Sequence, residues 1–244
     1  MIKVTYLDHS GFVLSTPTAI LVFDYSKDPE KKLEKALADY PDPEIPVVFL
    51  VTHHHPDHFN QAIFDLAQNR KRVYVLSNDI FSKLVPQKGY SIAWMSAGDV
   101  VDSIPGIESV KAYGSTDAGV SYFVTLPDGT TIFHAGDLNF WHWAADSTEK
   151  EVEKAKEEFD VIVNRIASEH PAINIVMFPV DARMGAGFAK GANMFLEKVK
   201  TDFFFPMHFW GEPNVACDFK NYVPPTSHTI CYCLDRPGAE AEIM

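Results

Sequence analysis

Four of the ten histidines of this 244-residue chain lie within residues 53–58, together with one aspartate. The stretch that begins at Thr52 reads THHHPDH and directly follows the apolar run VVFLV. Imidazole nitrogens and a carboxylate oxygen together suit Zn²⁺, and also Mn²⁺ or Fe²⁺. Because no cysteine lies nearby, the pattern does not favour a structural zinc finger. The stretch therefore predicts a metal centre.

The spacing of the donors within this stretch supports that prediction. His53 and His55 are two residues apart, so an extended backbone projects both side chains from the same side. Pro56 then restricts the chain, and Asp57 and His58 follow where it turns towards the next helix. A histidine-rich surface loop or the remnant of an expression tag is the alternative. The internal position of the run and its interruption by proline and aspartate argue against both.

The elements that must position these donors are predicted from short apolar runs separated by turn residues. The run IPVVFLVT before the histidines is nearly continuous, as expected of a buried central strand. Asp28 and Pro29 predict the start of a helix through EKKLEKALADY. Asn60 is expected to cap a second helix, QAIFDLAQN.

The second half of the chain predicts a hairpin and then alternating strands and helices. The hairpin joins VSYFVTL to TTIFHA through the turn signature PDG. Thr148 and Glu151 form a capping-box pattern that opens a helix. Later apolar runs predict the strands INIVMFPV, DFFFP and SHTICYCL. Since no repeat or linker-like change of composition is visible, we expect one domain, residues 1–244, of mixed sheets with outer helices.

Composition narrows the classes of partner and compartment. The formal net charge of −12 opposes non-specific binding to nucleic acid, which needs Lys and Arg to neutralise phosphates. No apolar run is long enough to span a bilayer, and the first residues lack the pattern of a signal peptide. The three cysteines include no Cys-x-x-Cys pair, and Cys231 and Cys233 alternate as on one face of a strand. We therefore expect a reduced, cytoplasmic protein with no nucleic-acid or membrane partner.

Four motifs together resemble the metallo-β-lactamase superfamily. They are HHHPDH after an apolar strand, DHSGFVLST near the start, IFHAGDLN and FFFPMHFW. The last three are similar to motifs of the branch that contains ascorbate-6-phosphate lactonase. The resemblance implies an α/β (α+β) fold, a four-layer αβ/βα sandwich with one or two metal ions at the edge that its sheets share. It also implies a hydrolase of an ester, lactone, amide or phosphodiester in a small molecule; a homo-oligomer stays open.

The resemblance also implies a ligand set. It assigns His53 and His55 to a first metal, and Asp57, His58 and His208 to a second, whereas His54 points away. Asp137 would bridge the two ions, and Asp57 or Asp137 would orient or deprotonate the attacking water. Zinc is the expected metal, as one or two ions, and manganese or iron are the alternatives.

The chain departs from the family at one position. The family supplies another histidine to the first metal from a loop that here reads AYGSTDAG and contains none. Asp117 in that loop, His142 in the aromatic segment NFWHW, and His134 are candidates to replace it. Each also has a structural interpretation: a turn residue, a hydrogen-bonded partner among tryptophans, and a strand residue facing away from Asp137. One metal therefore remains as open as two.

His9 and the aromatic residues near the motifs have open roles. His9 either caps a turn beside Ser10 and Gly11 or contacts metal or substrate. The aromatic side chains either line a substrate cleft or belong to the core; they are Phe140, Trp141, Trp143 and Trp210.

Two rival functions remain open at this point. Some family members use iron for redox chemistry, but the diiron enzymes typically place Glu where this chain has His55, which favours hydrolysis. A non-catalytic metal-binding protein is the other alternative, suggested by the missing histidine.

Overall fold

The short apolar runs become the strands of two mixed β-sheets. The computed structural model describes residues 1–84, 89–143, 146–225 and 227–243. The first sheet contains seven of the strands in these ranges: β1 (Ile2–Asp8), β2 (Gly11–Ser15), β3 (Ile20–Phe23), β4 (Val47–Val51), β5 (Arg72–Ser77), β6 (Ile92–Met95) and β14 (Glu240–Ile243). The second contains the other seven: β7 (Val100–Asp102), β8 (Ser109–Gly114), β9 (Val120–Thr125), β10 (Thr131–His134), β11 (Ala172–Pro179), β12 (Lys200–Met207) and β13 (Ile230–Cys231).

The two sheets have the same plan. The first has the strand order β14-β1-β2-β3-β4-β5-β6, antiparallel from β14 to β3 and parallel from β3 to β6. The second has the order β13-β12-β11-β10-β9-β8-β7, antiparallel from β7 to β10 and parallel from β10 to β13. The predicted hairpin is β9–β10, with Phe133 paired with Phe123.

Helices cover the outer faces of the two sheets. They are α1 (Lys32–Asp39), α2 (Glu149–Glu169), α3 (Lys190–Leu196) and α4 (Pro213–Asp218). One cluster of buried side chains joins both sheets to α2 and α3, and a second packs the outer face of the first sheet against α1. Successive side chains of β4 point to opposite faces of the sheet, so Leu50 belongs to the first cluster and Phe49 to the second. The fold is thus the predicted four-layer αβ/βα sandwich.

Local capping follows the sequence at two helix starts, Asn60 and Thr148, whereas α1 begins later than predicted, at Lys32 with Lys31 as its N-cap residue. The Asp28 carboxylate accepts hydrogen bonds from the backbone N–H groups of Lys32 and Leu33, at 2.8 and 2.9 Å. Asn60 caps through Ala62 N at 2.9 Å. Thr148 and Glu151 form the capping box of α2. No helix in the described ranges combines the length and apolar character needed to cross a bilayer.

Three local predictions were wrong. The helix expected over QAIFDLAQN is one 3₁₀ turn, Gln61–Phe64. The strand expected over SHTICYCL is only the two-residue β13, while β7 and β14 were missed because three or four residues with charged neighbours give too weak a pattern. Cys217 and Cys233 form a disulfide with a Cα–Cα separation of 4.8 Å, contrary to the reduced state expected for all three cysteines.

Candidate metal centre

The polar residues of the site follow the parallel strands of both sheets. Asp24 comes directly after β3 and Thr52 after β4; in the second sheet, Asp181 follows β11 by two residues and His208 follows β12 directly. Ligand sites in open α/β sheets form at the carboxyl ends of parallel strands, since loops from neighbouring strands meet there. The duplicated half-parallel plan therefore brings polar residues from both sheets to one place.

The first group of metal-donor residues comprises His53, His55 and Asp137. His53 Nε2 lies 3.0 Å from His55 Nδ1 and 3.3 Å from Asp137 Oδ2. His53 is fully buried, whereas His55 is partly exposed. The two histidines expected to face the same side therefore do so, and Asp137 joins them from the other sheet.

The second group comprises His9, Asp57, His58 and His208. In each group the donor atoms lie within 4.8 Å of one another. His58 Nε2 and His208 Nε2 lie 3.1 and 3.3 Å from Asp137 Oδ1, so Asp137 contacts both groups through different oxygens. His9 Nε2 lies 3.3 Å from Asp57 Oδ2. The structure thus brings all six expected ligands together and adds His9.

The polar atoms at the centre are left without hydrogen-bond partners. His9 Nε2, His58 Nε2 and Asp137 Oδ1 are buried, and none makes a hydrogen bond within the described residues. Their close approaches have the distance but not the geometry of hydrogen bonds. Buried polar atoms without partners are costly, and cations bound by the two donor groups would satisfy them. The donor set of imidazoles and carboxylates therefore fits a divalent metal such as zinc.

Gly136 makes the turn that aims Asp137 at the centre. Its φ is +54°, and an added Cβ would lie 2.8 Å from Thr52 Cβ. Only glycine adopts this conformation without strain while leaving room for the strand from the other sheet. The local bend separates the direction of Asp137 from that of His134 on the preceding strand.

Buried carboxylates hold the outer nitrogens of two histidines of the second group. His58 Nδ1 lies 2.7 Å from Asp24 Oδ2, and His208 Nδ1 lies 2.9 Å from Asp181 Oδ2. Such contacts fix the ring orientation and leave Nε2 for a metal. Both aspartates are fully buried and were missed by sequence reasoning. The signal that could have found them is an acidic residue at the end of a buried apolar run.

Asp24 also supports the first group through Thr52. Its carboxylate accepts hydrogen bonds from Thr52 N and Thr52 Oγ1, both at 2.7 Å. Thr52 Oγ1 in turn lies 3.0 Å from His53 Nδ1. One buried aspartate therefore orients a histidine of each group.

These contacts move the pKa values of the site in opposite directions. Burial alone lowers the pKa of His58, but Asp137 and Asp24 together raise it to about 10. The pKa of His208 is also raised, because Asp137 and Asp181 outweigh burial. Burial opposes ionisation of Asp137, yet contacts with three histidines hold its pKa well below the usual range. The negative carboxylates therefore favour positive charge at the centre.

Two residues of the second group have unusual backbone conformations. His9 and His208 have φ values of 52° and 62°, a region that residues other than glycine rarely adopt. His208 N donates to His9 O at 3.0 Å, which ties the two strained segments together. Strain of this kind persists only where the surrounding structure enforces it, and it is common at functional sites.

The loop without the expected histidine packs directly on the first group. Gly119 has a φ of +63°, and an added Cβ would lie 2.0 Å from Thr52 O. Thr116 Oγ1 donates to Asn139 O at 2.6 Å, which fixes the loop beside Asp137. Asp117 faces the same cleft as the metal donors. Its carboxylate is not among the described donor atoms that lie within 4.8 Å of one another.

The other two candidate replacements lie away from the donor groups. His134 Nε2 donates to Ser10 O at 2.8 Å, and its Nδ1 accepts from Gly136 N at 3.1 Å. Both ring nitrogens of His134 are thus used inside the core, where burial lowers its pKa. His142 is buried against Phe140, and its Nδ1 lies 3.0 Å from Phe140 O. Neither residue belongs to a donor group within the described ranges.

A cleft of about 440 Å³ opens over the donors. Three of the four aromatic residues noted in the sequence line it, and they are Trp141, Trp143 and Trp210. Phe140 is buried in the core instead. Trp141 Nε1 donates to Asp137 O at 2.8 Å, so this indole also fixes the strand end that carries Asp137. Arg183 lines the cleft as well and was not singled out from the sequence.

Related proteins align with this chain over its whole length. A protein of Pyrococcus furiosus described as a UPF0173 metal-dependent hydrolase is 26% identical over 254 aligned positions, which cover 100% of both chains. A protein of Thermococcus kodakarensis with the same description is 27% identical, again over 100% of both chains. The solved structure of Igni18, described as a novel metallo hydrolase from Ignicoccus hospitalis, superposes with a TM-score of 0.66 at 16% identity, covering 100% of this chain and 99% of that one.

A protein-family model also matches more than half of this chain. The model described as the beta-lactamase superfamily domain matches residues 3–164, a range that includes the histidine run and Asp137. The narrower resemblance to the ascorbate-6-phosphate lactonase branch stays a prediction. The model match over more than half of the chain, together with the αβ/βα sandwich, shows that this protein belongs to the metallo-β-lactamase superfamily.

Proposed function

We propose that this chain is a metal-dependent hydrolase acting on an ester, lactone or phosphodiester bond of a small molecule. The observation that carries the proposal is the pair of donor groups that share Asp137 at the floor of a cleft. The cleft of about 440 Å³ has the size of a small-molecule site rather than of a macromolecular groove. The descriptions of the archaeal relatives as metal-dependent hydrolases support the same class.

The two groups would hold one or two metal ions, with zinc as the first choice. His53, His55 and Asp137 would hold the ion of the first position. Asp57, His58 and His208 would hold the ion of the second position together with His9, and Asp137 contacts histidines of both groups. Imidazole and carboxylate donors also accept manganese or iron, so the metal is a matter for measurement.

The side chains around the donor groups orient the attacking water and provide charged groups beside it. A divalent metal bound there supplies Lewis acidity and activates water for attack on the substrate. Contacts with His9 and His58 hold the pKa of Asp57 well below the usual range although burial opposes this, so its carboxylate is ionised at neutral pH. Because Asp57 lines the cleft, its ionised carboxylate can accept a hydrogen bond from the attacking water and orient it. The indoles beside it exclude bulk water from part of the cleft.

Metal analysis combined with a small substrate panel tests the proposal. We expect the purified protein to bind zinc and to hydrolyse at least one of 4-nitrophenyl butyrate, δ-valerolactone and bis(4-nitrophenyl) phosphate. His58→Ala should lose both metal and turnover. His54→Ala is the matched control, because His54 belongs to the same run but its Nδ1 lies 2.8 Å from Asp79 Oδ2, away from the centre.

Two results would contradict the proposal. Tightly held iron with oxygen consumption on a thiol substrate would make the protein a redox enzyme on the same fold. Failure to bind any divalent metal, together with no turnover on the panel, would make it a non-catalytic family member.

A further inference from the structure

Arg183 is held in place beside the metal centre by a buried carboxylate. Its Nε lies 3.0 and 3.1 Å from the two oxygens of Asp181, and its Nη2 lies 2.6 Å from Asp181 Oδ2. The same Asp181 oxygen contacts His208 Nδ1 at 2.9 Å. One edge of the guanidinium is therefore fixed to the residue that orients a metal donor.

Two tryptophans from separate segments flank the guanidinium. Arg183 Cζ lies 4.5 Å from the ring centroid of Trp210 and 5.5 Å from that of Trp143. Trp143 in turn stacks on Trp141, with centroids 5.6 Å apart and planes 8° apart. Stacking of this kind fixes the plane of an arginine without using its N–H donors.

Part of the donor capacity of Arg183 is not used by the residues that the structure describes. Its Nη1 makes no hydrogen bond to the described residues, and its side chain is 45% exposed at the cleft. The residue therefore keeps an oriented N–H donor edge towards solvent, with little conformational freedom left to lose on binding.

Charge in the cleft gives this donor edge a specific use. The acidic side chains that line the cleft are Asp57, Asp117 and Asp137, and Arg183 is the one cationic lining residue among those described. A guanidinium that only balanced these charges would point at them, but its fixed edge is bound to Asp181, which does not line the cleft. Metal ions at the donor groups would offset the acidic residues and leave Arg183 available to an anion.

We propose that Arg183 binds a second anionic oxygen group of the substrate, a carboxylate or a phosphate, beside the bond that is hydrolysed. This assignment rests on the proposed hydrolase function of the same cleft and narrows its substrates to anionic small molecules. The planar fork of arginine matches carboxylate and phosphate geometry, and the tryptophan faces hold it ready for that contact.

Ligand binding and kinetics with matched probes test the role of Arg183. The probes for calorimetry on zinc-loaded protein are butyrate, glutarate and 3-phosphonopropionate, of which the last two carry a second anionic group. The kinetic probes are 4-nitrophenyl butyrate and mono(4-nitrophenyl) glutarate. Arg183→Gln should weaken the binding of glutarate or 3-phosphonopropionate about tenfold. This is the lower end of the effect expected for loss of a hydrogen bond to a charged group. If glutarate loses more affinity, Arg183 binds a carboxylate; if 3-phosphonopropionate loses more, it binds a phosphate.

Steady-state kinetics distinguish two roles of Arg183, binding of a substrate anion and support of the metal site. Arg183→Gln should raise KM for mono(4-nitrophenyl) glutarate about tenfold more than KM for 4-nitrophenyl butyrate, and any change of kcat through Asp181 should be the same for the two esters. Lys190→Gln is the matched control, because it removes a nearby exposed positive charge that does not line the cleft. It should behave as the unaltered protein.

Distinct results would overturn each proposal. Equal weakening of all three ligands by Arg183→Gln would mean that the residue only supports Asp181 and His208, and equal affinity of the unaltered protein for the three would remove the anion site. Arg183-dependent anion binding without hydrolysis of any ester, lactone or phosphodiester tested would overturn the hydrolase proposal and leave the anion site. Hydrolysis of both esters with the same effect of Arg183→Gln on each would overturn the anion site and leave the hydrolase proposal.

Discussion

The donor group around His53 and the donor group around His58 contact different oxygens of the same carboxylate, yet they are built unequally. The first contains two histidines besides Asp137, and His55 is partly exposed. The second contains three histidines and Asp57, and its histidines are buried. The smaller group is the one to which the family resemblance assigns the histidine missing from the loop AYGSTDAG.

The histidines of the second group also have the stronger hydrogen-bonding partners at their outer nitrogens. In the second group, Asp24 and Asp181 contact the outer nitrogens of His58 and His208 directly. In the first group, support for His53 reaches Asp24 only through the Thr52 hydroxyl. A direct charged partner makes an imidazole a stronger and better oriented ligand than a hydroxyl does. We therefore expect the second position to bind metal more tightly than the first.

The largest expected effect is stabilisation of the whole protein by zinc. At a free zinc concentration about 1,000 times the Kd, binding to the native state adds about 4 kcal/mol to the free energy of unfolding. For a domain of this size that corresponds to a rise in Tm of roughly 8–16 °C. Calorimetric scans with increasing zinc should show most of the rise with the first equivalent. Equal rises with the first and second equivalents would remove the distinction between the two positions.

Replacing one histidine of each group tests the comparison directly. We expect His58→Ala to weaken zinc binding by more than about 100-fold, beyond the usual effect of losing a residue that only supports a ligand. His55→Ala should remove only the weaker ion and leave about one zinc per chain, as measured by elemental analysis after dialysis. Retention of one zinc by His58→Ala and none by His55→Ala would reverse the order of the two sites.

Replacing the supporting aspartates should produce a smaller and more selective change. Asp24→Asn should weaken zinc binding at both positions by about 10–100-fold, because Asp24 supports His58 directly and His53 through Thr52. It should also lower the free energy of unfolding of the metal-free protein by about 1–3 kcal/mol, since buried donors lose their acceptor. Asp181→Asn should weaken only the second position. Competition titrations against a chelator measure both affinities, and identical profiles for the two variants would contradict the assigned contacts.

The smallest effect is expected at Asp117. Its carboxylate faces the cleft but does not join the donor atoms of either group. Asp117→Asn should therefore change either zinc affinity by less than about threefold, the range of ordinary surface substitutions. Loss of the weaker ion in this variant would show instead that Asp117 replaces the missing histidine.

Sequence patterns predicted most strands and the histidine run, whereas the motif resemblance implied the sandwich fold and the roles of Asp137 and His208. The apolar run at β4 and the motifs around Asp137 and His208 are local, because each couples a buried strand to a polar residue at its end. Capping at Asn60 and Thr148 is local as well, and the structure confirms it. Asp28 accepts hydrogen bonds from the first N–H groups of α1, but the helix begins four residues after it. Short edge strands and the Cys217–Cys233 pair were not predicted, since they depend on partners distant in the chain.

The supporting and substrate-facing residues needed the tertiary structure. Asp24 and His58 are 34 residues apart, and Asp181 and His208 are 27 apart. No pattern in the sequence pairs them, because each pair meets only where neighbouring parallel strands end together. The same holds for Arg183, whose tryptophan neighbours come from two other segments.

The sequence by itself determined the donor types of the histidine run, because the spacing HxHxDH is a property of adjacent residues. The resemblance of its motifs to the metallo-β-lactamase superfamily implied the family and the two-sheet sandwich. Only the tertiary structure decided that His9 joins the second group, that His134 and His142 stay apart, and that Asp137 contacts both groups. The physical reason is that a polar side chain is directed by the backbone turn and the packing around it. Those are set by the meeting of two sheets and not by the residues next to it in the chain.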